Sequence, residues 1–391
     1  MTDRQISLDE IRLRLNELDD QLLSLLSERR KLSIEVAKSK VETSKPVRDA
    51  AREQQLLVKL INNGKDKYEL DAQYITKLFH TIIEDSVLLQ QSYLQNLANP
   101  QSRKPLARVA FLGSKGSYSH LASREYFSRK NTELIELNCD HFKEVANTVE
   151  SGHADYGVLP IENTSSGSIN EVYDLLQHTT LYIVGELTQP IEHCLVSQND
   201  IKIEDIKTLY SHPQPHQQCS EFLSRLKGVT LESCASTADA MMKVKELNRD
   251  DVAAIGNASS GKLYGLQSIQ ENIANQTENH TRFIVVARKP VEVSTQIPAK
   301  TTLIMSTSQE AGSLVETLLV LQRHNINMTK LESRPIMGNP WEEMFYVDLE
   351  AHLESENMQN TISELTKITR HLKVLGCYPS ENIKATQVKL Q

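Results

Sequence analysis

Apolar residues near the start of the chain fall at Ile11, Leu15, Leu18, Leu22 and Leu25, in alternating steps of four and three. That spacing is the seam of a coiled coil and predicts one long helix from Leu8 to Val41, a stretch without Gly or Pro. Such a helix is roughly 50 Å long at about 1.5 Å per residue, too long to bury its stripe in a domain of about a hundred residues. It is expected to pair with its copy in a second subunit. Two further helices are expected, over 49–62 with Asn63-Gly64 as a stop signal, and from a cap at Asp71 to about Asn96. From Arg108 the period changes. Apolar runs at 109–113, 157–161 and 252–256 alternate with amphipathic patterns near 119–130, 140–151, 168–177, 214–226 and 237–248. Strand–helix alternation predicts an α/β region with largely parallel sheets, and its length allows two lobes with a cleft between them. From Lys300 the order strand–helix–strand–strand–helix–strand predicts a ferredoxin-like α+β module.

Composition sharpens this division. Only Gly64 of the 14 glycines, and Pro46 and Pro100 of the 12 prolines, lie in the first hundred residues. A hydrophobic content of 39 % with 24 % charged residues suits a globular chain with a core. No apolar run reaches membrane-spanning length, and the charged N-terminus does not read as a signal peptide. Five scattered cysteines without Cys-x-x-Cys spacing favour reduced thiols in a cytoplasm over disulfides or zinc. Net charge is −8, and the first hundred residues carry 15 Lys and Arg against 16 Asp and Glu, so nucleic-acid binding has little support. No cofactor or metal is expected.

The candidate chemistry begins where the helical seam stops being apolar. The four–three count from Leu25 lands on Arg29, and Lys40 lies eleven residues on, close to the same face. The stripe Ile75, Phe79, Ile82, Leu89 of the third helix is interrupted by Ser86, with Gln90 one turn beyond. Asp49, Arg52 and Glu53 continue the expected face of Leu56 and Leu60. A guanidinium facing a core needs an anion. Arg29, Lys40 and Arg52 outnumber two acids, which implies an anionic ligand, a di-acid. A buried ion-pair network is the alternative for any one of these residues. The segments LDEIRLRLNELDDQLLSLLSERRKL, PVRDAAREQQLL and YITKLFHTIIEDSVLLQQ resemble the all-helical chorismate mutase family. The resemblance implies an intertwined dimer that holds chorismate inside the helices. Arg12 from the partner subunit and Arg29 would bind its carboxylates, and Lys40 and Gln90 would donate to the ether oxygen. Asp49 and Glu53 would hold the ring hydroxyl side, with Arg52 and Ser86 in support.

In the α/β region polar loops stand at strand ends, where such folds place chemistry. They are GSKGSYSH (113–120), PIENTSSG (160–167) and SHPQPHQQ (211–218), with NHTRF (279–283) opening a strand. Each alone reads as turn and capping residues. Together IENTSSGS, YSHPQPHQQC and TRF resemble prephenate dehydratase over about 106–288. Ser114 stands where the family's opening motif has proline, and Ala235 where some relatives have glutamate. The resemblance implies a two-lobed, periplasmic-binding-protein-like fold and Thr281 as proton donor to the departing hydroxyl of prephenate. Arg282 is the candidate for a substrate carboxylate. Glu162, Asn163, Ser211 and Gln218 are expected to orient substrate or the threonine, and His212 and His216 to be loop residues.

The C-terminal module resembles an ACT amino-acid-binding domain through Gly312-Ser313-Leu314-Val315 and Glu332-Ser333-Arg334-Pro335, with Ser313 in place of the usual alanine. The resemblance implies L-phenylalanine as an allosteric effector bound across a subunit interface; a purely structural dimerisation module is the alternative. The expected domains are 1–97, 106–288 and 299–385, in a homodimer or higher homo-oligomer. The combined expectation is a two-activity enzyme that turns chorismate into prephenate and prephenate into phenylpyruvate under phenylalanine feedback. A non-catalytic amino-acid sensor is the alternative.

Overall fold

In a computed structural model of the chain, residues 7–381 are described except 44, 103, 104, 131, 277, 337 and 340. The expected domain limits at 1–6 and 382–385 lie outside the described residues. The described chain divides into two compact units.

The first unit holds three helices, α1 (Leu8–Thr43), α2 (Ala50–Tyr68) and α3 (Ala72–Ala98). At about 1.5 Å per residue the 36-residue α1 is about 54 Å long. Its only buried residues are Ser33 and Ala37, and the seam is open: Ile11, Leu15, Leu18, Leu22 and Leu25 are all between 45 % and 62 % exposed. Asp71 caps α3, its carboxylate accepting from Tyr74 N at 2.8 Å. The expected stop at Asn63-Gly64 is wrong. α2 runs on to Tyr68 and ends at Glu69 in the left-handed region (φ 55°). Gly64 instead sits under α3, where a Cβ would stand 2.1 Å from Ile75 Cδ1, so it permits close helix packing. The segment Ser294–Ile297 belongs to this unit: Val47 N donates to Gln296 O at 2.9 Å, and Gln296 Nε2 to Lys45 O at 2.9 Å.

The second unit contains three sheets. Around strand Tyr156–Asn163, one sheet lines up Glu133–Cys139, Leu106–Leu112, Tyr156–Asn163, His280–Ala287 and Tyr182–Pro190. The last two run antiparallel to their neighbours, so this sheet is mixed rather than parallel. Gly167–Ser168 folds back on Glu162 and Asn163 as a hairpin, which puts both residues in a strand rather than in the expected loop. The second sheet runs Gln267–Gln270, Cys194–Ser197, Val252–Gly256, Thr208–Ser211 and Thr230–Ser233. The order of the strands takes the chain from the first sheet to the second after Pro190 and back to the first at His280, making two lobes. The third sheet, ordered Met328–Pro335, Glu343–Leu349, Ala299–Thr307, Thr369–Pro379, is antiparallel with helices Ser313–Arg323 and Glu356–Ile368 between its strands. This is the ferredoxin-like order that the sequence predicts. Its strands share one apolar core with the first lobe, including Ile304, Tyr346, Leu375 and Tyr378 against Tyr173 and Ile183. At Gly376 a Cβ would lie 2.1 Å from the Ile183 carbonyl oxygen, so backbone meets backbone there.

Candidate functional site

In the helical unit, Arg29 Nη1 donates to Ile82 O at 3.1 Å and to Ser86 Oγ, joining α1 to α3. Ser86 donates to Ile82 O at 2.9 Å. One turn on, Gln90 is buried, and its Oε1 meets no donor among the described residues. Lys40 Nζ donates to the Val47 carbonyl in the turn before α2. Burial lowers the pKa of both cations, with Asp85 opposing the shift at Arg29 and Asp49 and Glu53 opposing it at Lys40. Two of the expected positions differ. The buried face of α2 is Glu53, Leu57 and Gly64, which leaves Arg52 exposed within one chain. Asp49 is exposed and caps α2, accepting from Arg52 N at 2.9 Å. The guanidinium that meets Glu53 is Arg48, whose Nε lies 3.1 Å from both carboxylate oxygens, and it also donates to Glu84. Burial opposes the Arg48 charge, and the bonds to Glu84 and Glu53 more than offset it. Arg48 lies in a turn, where helical period assigns no face, so nothing in the spacing revealed it. Arg12 is exposed beside Asp9 at 3.6 Å, about 25 Å from Arg29 along α1.

In the α/β unit, strand alternation decides which residues meet. Thr281 pairs in register with Asn163, and Arg282 with Glu162. Asn163 Nδ2 donates to Thr281 Oγ1 at 2.9 Å, and lies 2.8 Å from Asn279 Oδ1 and 3.1 Å from His280 O. Its Oδ1 accepts from Ser165 N, Ser166 N and Ser166 Oγ, each at 2.9 Å. Thr281 and Asn163 are both buried, and no described residue accepts the Thr281 hydroxyl proton. Gln214 Nε2 reaches Ser166 Oγ at 2.8 Å from the other lobe, so this group lies where the lobes meet. Gln218 Oε1 pairs with His193 Nε2 at 2.7 Å, and His193 Nδ1 lies 3.4 Å from Tyr118 OH. Burial lowers the His193 pKa against the opposing Gln218 bond, which favours a neutral imidazole. Ser211 Oγ donates to His212 O at 2.9 Å, and His212 caps its helix as a loop residue. In the first loop, buried His120 accepts from Gly116 N at 3.0 Å and meets Glu136 at 3.1 Å, which fixes the turn. Tyr118 and Asn279 stand inside the polar loops 113–120 and 279–283 without a role expected of them, and His193 escaped the sequence reading because it lies in a lobe crossover, outside the motifs.

The same alternation corrects Arg282 and Glu162. Both side chains lie on the face away from Thr281. Arg282 bonds Glu186 at 2.8 Å, Asp348 at 2.6 Å, Glu162 at 3.2 Å and Tyr378 OH at 3.1 Å, so its guanidinium is committed inside the protein and does not await a substrate carboxylate. Glu162 bonds Lys330 at 2.8 Å. Likewise Arg334 is paired with Asp174 at 2.8 Å and Glu332 with Ser168 at 2.6 Å, so neither side chain stands open to an effector. Ser333 and Pro335 alternate to the other face and are exposed. Gly312 (φ 91°) precedes helix Ser313–Arg323, on which Val315 is 58 % exposed, and Ser313 Oγ donates to Glu310 O at 2.8 Å.

Residues 11–91 match the family model of chorismate mutase type II, and residues 109–291 that of prephenate dehydratase. The bifunctional chorismate mutase/prephenate dehydratase of Enterobacter agglomerans is 57 % identical over 95 % of this chain and 96 % of its own. That of Escherichia coli is 56 % identical, again over 95 % of this chain and 96 % of its own. Among solved structures, the prephenate dehydratase of Arthrobacter aurescens in complex with L-Phe is 24 % identical, with a TM-score of 0.64 over 72 % of this chain and 93 % of that one. The polar helices and the two-lobed cleft therefore answer to two catalytic activities, and the chain belongs to the family of bifunctional chorismate mutase/prephenate dehydratase enzymes.

Proposed function

We propose that the chain carries out the two steps in series, chorismate to prephenate on the helices and prephenate to phenylpyruvate in the cleft, under feedback by L-phenylalanine held on the ferredoxin-like module. The observation that carries this reading is two polar sets with hydrogen-bonding capacity left over. On the helices half-buried Arg29 and Lys40 lie beside buried Gln90, and in the cleft stands the buried Thr281, which the Asn163 amide holds and whose hydroxyl proton no described residue accepts.

The first reaction is an intramolecular rearrangement that needs no nucleophile. Arg29, with Arg12 of a second copy, would clamp the carboxylates. Lys40 and Gln90 would donate to the ether oxygen as negative charge grows on it. The exposed α1 seam supports a second copy, because an apolar face of this length asks for cover. In the second reaction a hydroxyl leaves as water while a ring carboxylate leaves as carbon dioxide. Thr281 would give the proton. The Asn163 amide, donating to the same oxygen, offsets the negative charge that remains on it. Glycine-turned Ser313–Arg323 and the edge strand Met328–Pro335 support an amino-acid site completed by a second module, since Val315 on the helix and Ser333 on the strand are exposed.

Phenylalanine titration against both activities tests the reading, with Trp341, 93 % exposed on the module, as a fluorescence reporter. Inhibition of the dehydratase alongside saturable binding is expected. Unchanged activity and fluorescence would remove the feedback claim and leave the two activities standing.

A further inference from the structure

Thr281 and Asn163 face the cleft, and their strand neighbours Arg282 and Glu162 face the ferredoxin-like module. Two adjacent rungs of one ladder thus carry the reacting pair on one side and a charged pair on the other. The module takes hold of that charged pair at two points. Asp348 bonds Arg282 Nη1 at 2.6 Å, and Lys330 bonds Glu162 at 2.8 Å. Asp348 and Lys330 are themselves register partners on neighbouring strands of the module. Asp348 is buried, and its other oxygen accepts from Thr302 Oγ1 at 2.6 Å, so it has little freedom to move alone. Glu186, also buried, accepts from Arg282 Nε at 2.8 Å and from Lys300 Nζ at 2.8 Å. Buried charges of this kind hold their geometry only while each has its partner, because removing one leaves the other uncompensated. The main-chain atoms of residues 281 and 282 share one strand, so a shift of the Arg282 anchor displaces Thr281.

We propose that the ferredoxin-like module is a positioning part of the dehydratase site: Asp348 and Lys330, acting through Arg282 and Glu162, set where Thr281 and Asn163 stand in the cleft. The proposal rests on the reading of Thr281 as proton donor. Reacting groups tolerate little displacement, and a misplacement of about 1 Å can cost about a hundredfold in rate. Asp348 and Lys330 are positioning residues, since neither touches the cleft.

The test uses the full-length protein and the variants Asp348→Asn, Lys330→Met and Lys330→Arg, with Thr281→Val assayed beside them. Asp348→Asn keeps the shape and the Thr302 bond but weakens the hold on Arg282. Asp348→Asn and Lys330→Met are expected to lower dehydratase kcat about tenfold or more, with KM within about twofold and mutase turnover unchanged. Lys330→Arg is expected to restore most of the loss. A merely structural contact would lower both activities in step with the folded fraction seen by circular dichroism, and that result overturns the proposal. Wild-type kcat in both Asp348→Asn and Lys330→Met overturns it too. The outcomes separate from the reading beneath: if Thr281→Val is inactive while these variants are normal, only the positioning claim falls, and if Thr281→Val is active, the proton-donor reading falls first.

Discussion

The helical unit and the two-lobed unit solve opposite problems. In the helices the polar residues interrupt a regular apolar stripe, and one chain leaves much of that stripe in water: Leu22 and Leu25 are 57 % and 62 % exposed. In the lobes the polar residues stand at strand ends and crossovers, and one chain assembles them alone, with Asn163, Asn279 and Thr281 within 2.9 Å contacts. Helical polar groups are placed by period, so an error of one residue turns a side chain through about 100°. Strand polar groups are placed by alternation, so neighbours in sequence are divided between two faces. Under the proposed functions, the reaction needing only a clamp would draw on two copies of a helix, and the one needing proton delivery on a cleft folded from one chain.

The sharpest break in this comparison is the loss of one chemistry without the other. Thr281→Val is expected to lower phenylpyruvate formation by about 10²- to 10⁴-fold, the usual contribution of a general acid, and to spare the mutase. Lys40→Ala is expected to lower prephenate formation by about 10²- to 10³-fold, the scale of one lost transition-state donor, and to leave the dehydratase intact. Steady-state assays of both activities on each variant check both statements. The pH dependence should also divide the two. Burial lowers the Lys40 pKa, and the charged form is the donor, so mutase kcat should fall as pH rises through a value below the ordinary lysine range. Lys40→Arg should move that fall to higher pH. The smallest effect tests packing: Gly64→Ala pushes a methyl against Ile75, at a cost of about 1–3 kcal/mol in denaturant unfolding of the helical unit.

Much of this was legible in the sequence, and the failures have physical causes. The four–three step announced α1, and the strand–helix–strand–strand–helix–strand order announced the ferredoxin-like sheet, because long periodic segments leave little choice. Gly64 misled because glycine ends helices more often than it lets two of them touch. Arg282 misled because a motif was read as a unit. Thr281 and Arg282 are adjacent in a strand, and alternation alone would have sent them to opposite faces. Arg48 and His193 were hidden for another reason: a turn and a crossover have no period to read, so neither the Arg48 bonds to Glu53 and Glu84 nor the His193 bond to Gln218, 25 positions away, follows from spacing.

The central claim is that the mutase site takes residues from two copies of the chain and the dehydratase site from one. Co-expression of Arg12→Ala and Arg29→Ala chains, followed by assay of both activities, tests it most directly. Each variant alone should be nearly devoid of mutase activity. Random pairing should restore one intact site in half of the dimers, about a quarter of wild-type mutase activity, while the dehydratase stays at wild-type level throughout. A mixture no more active than its parents would contradict the shared site.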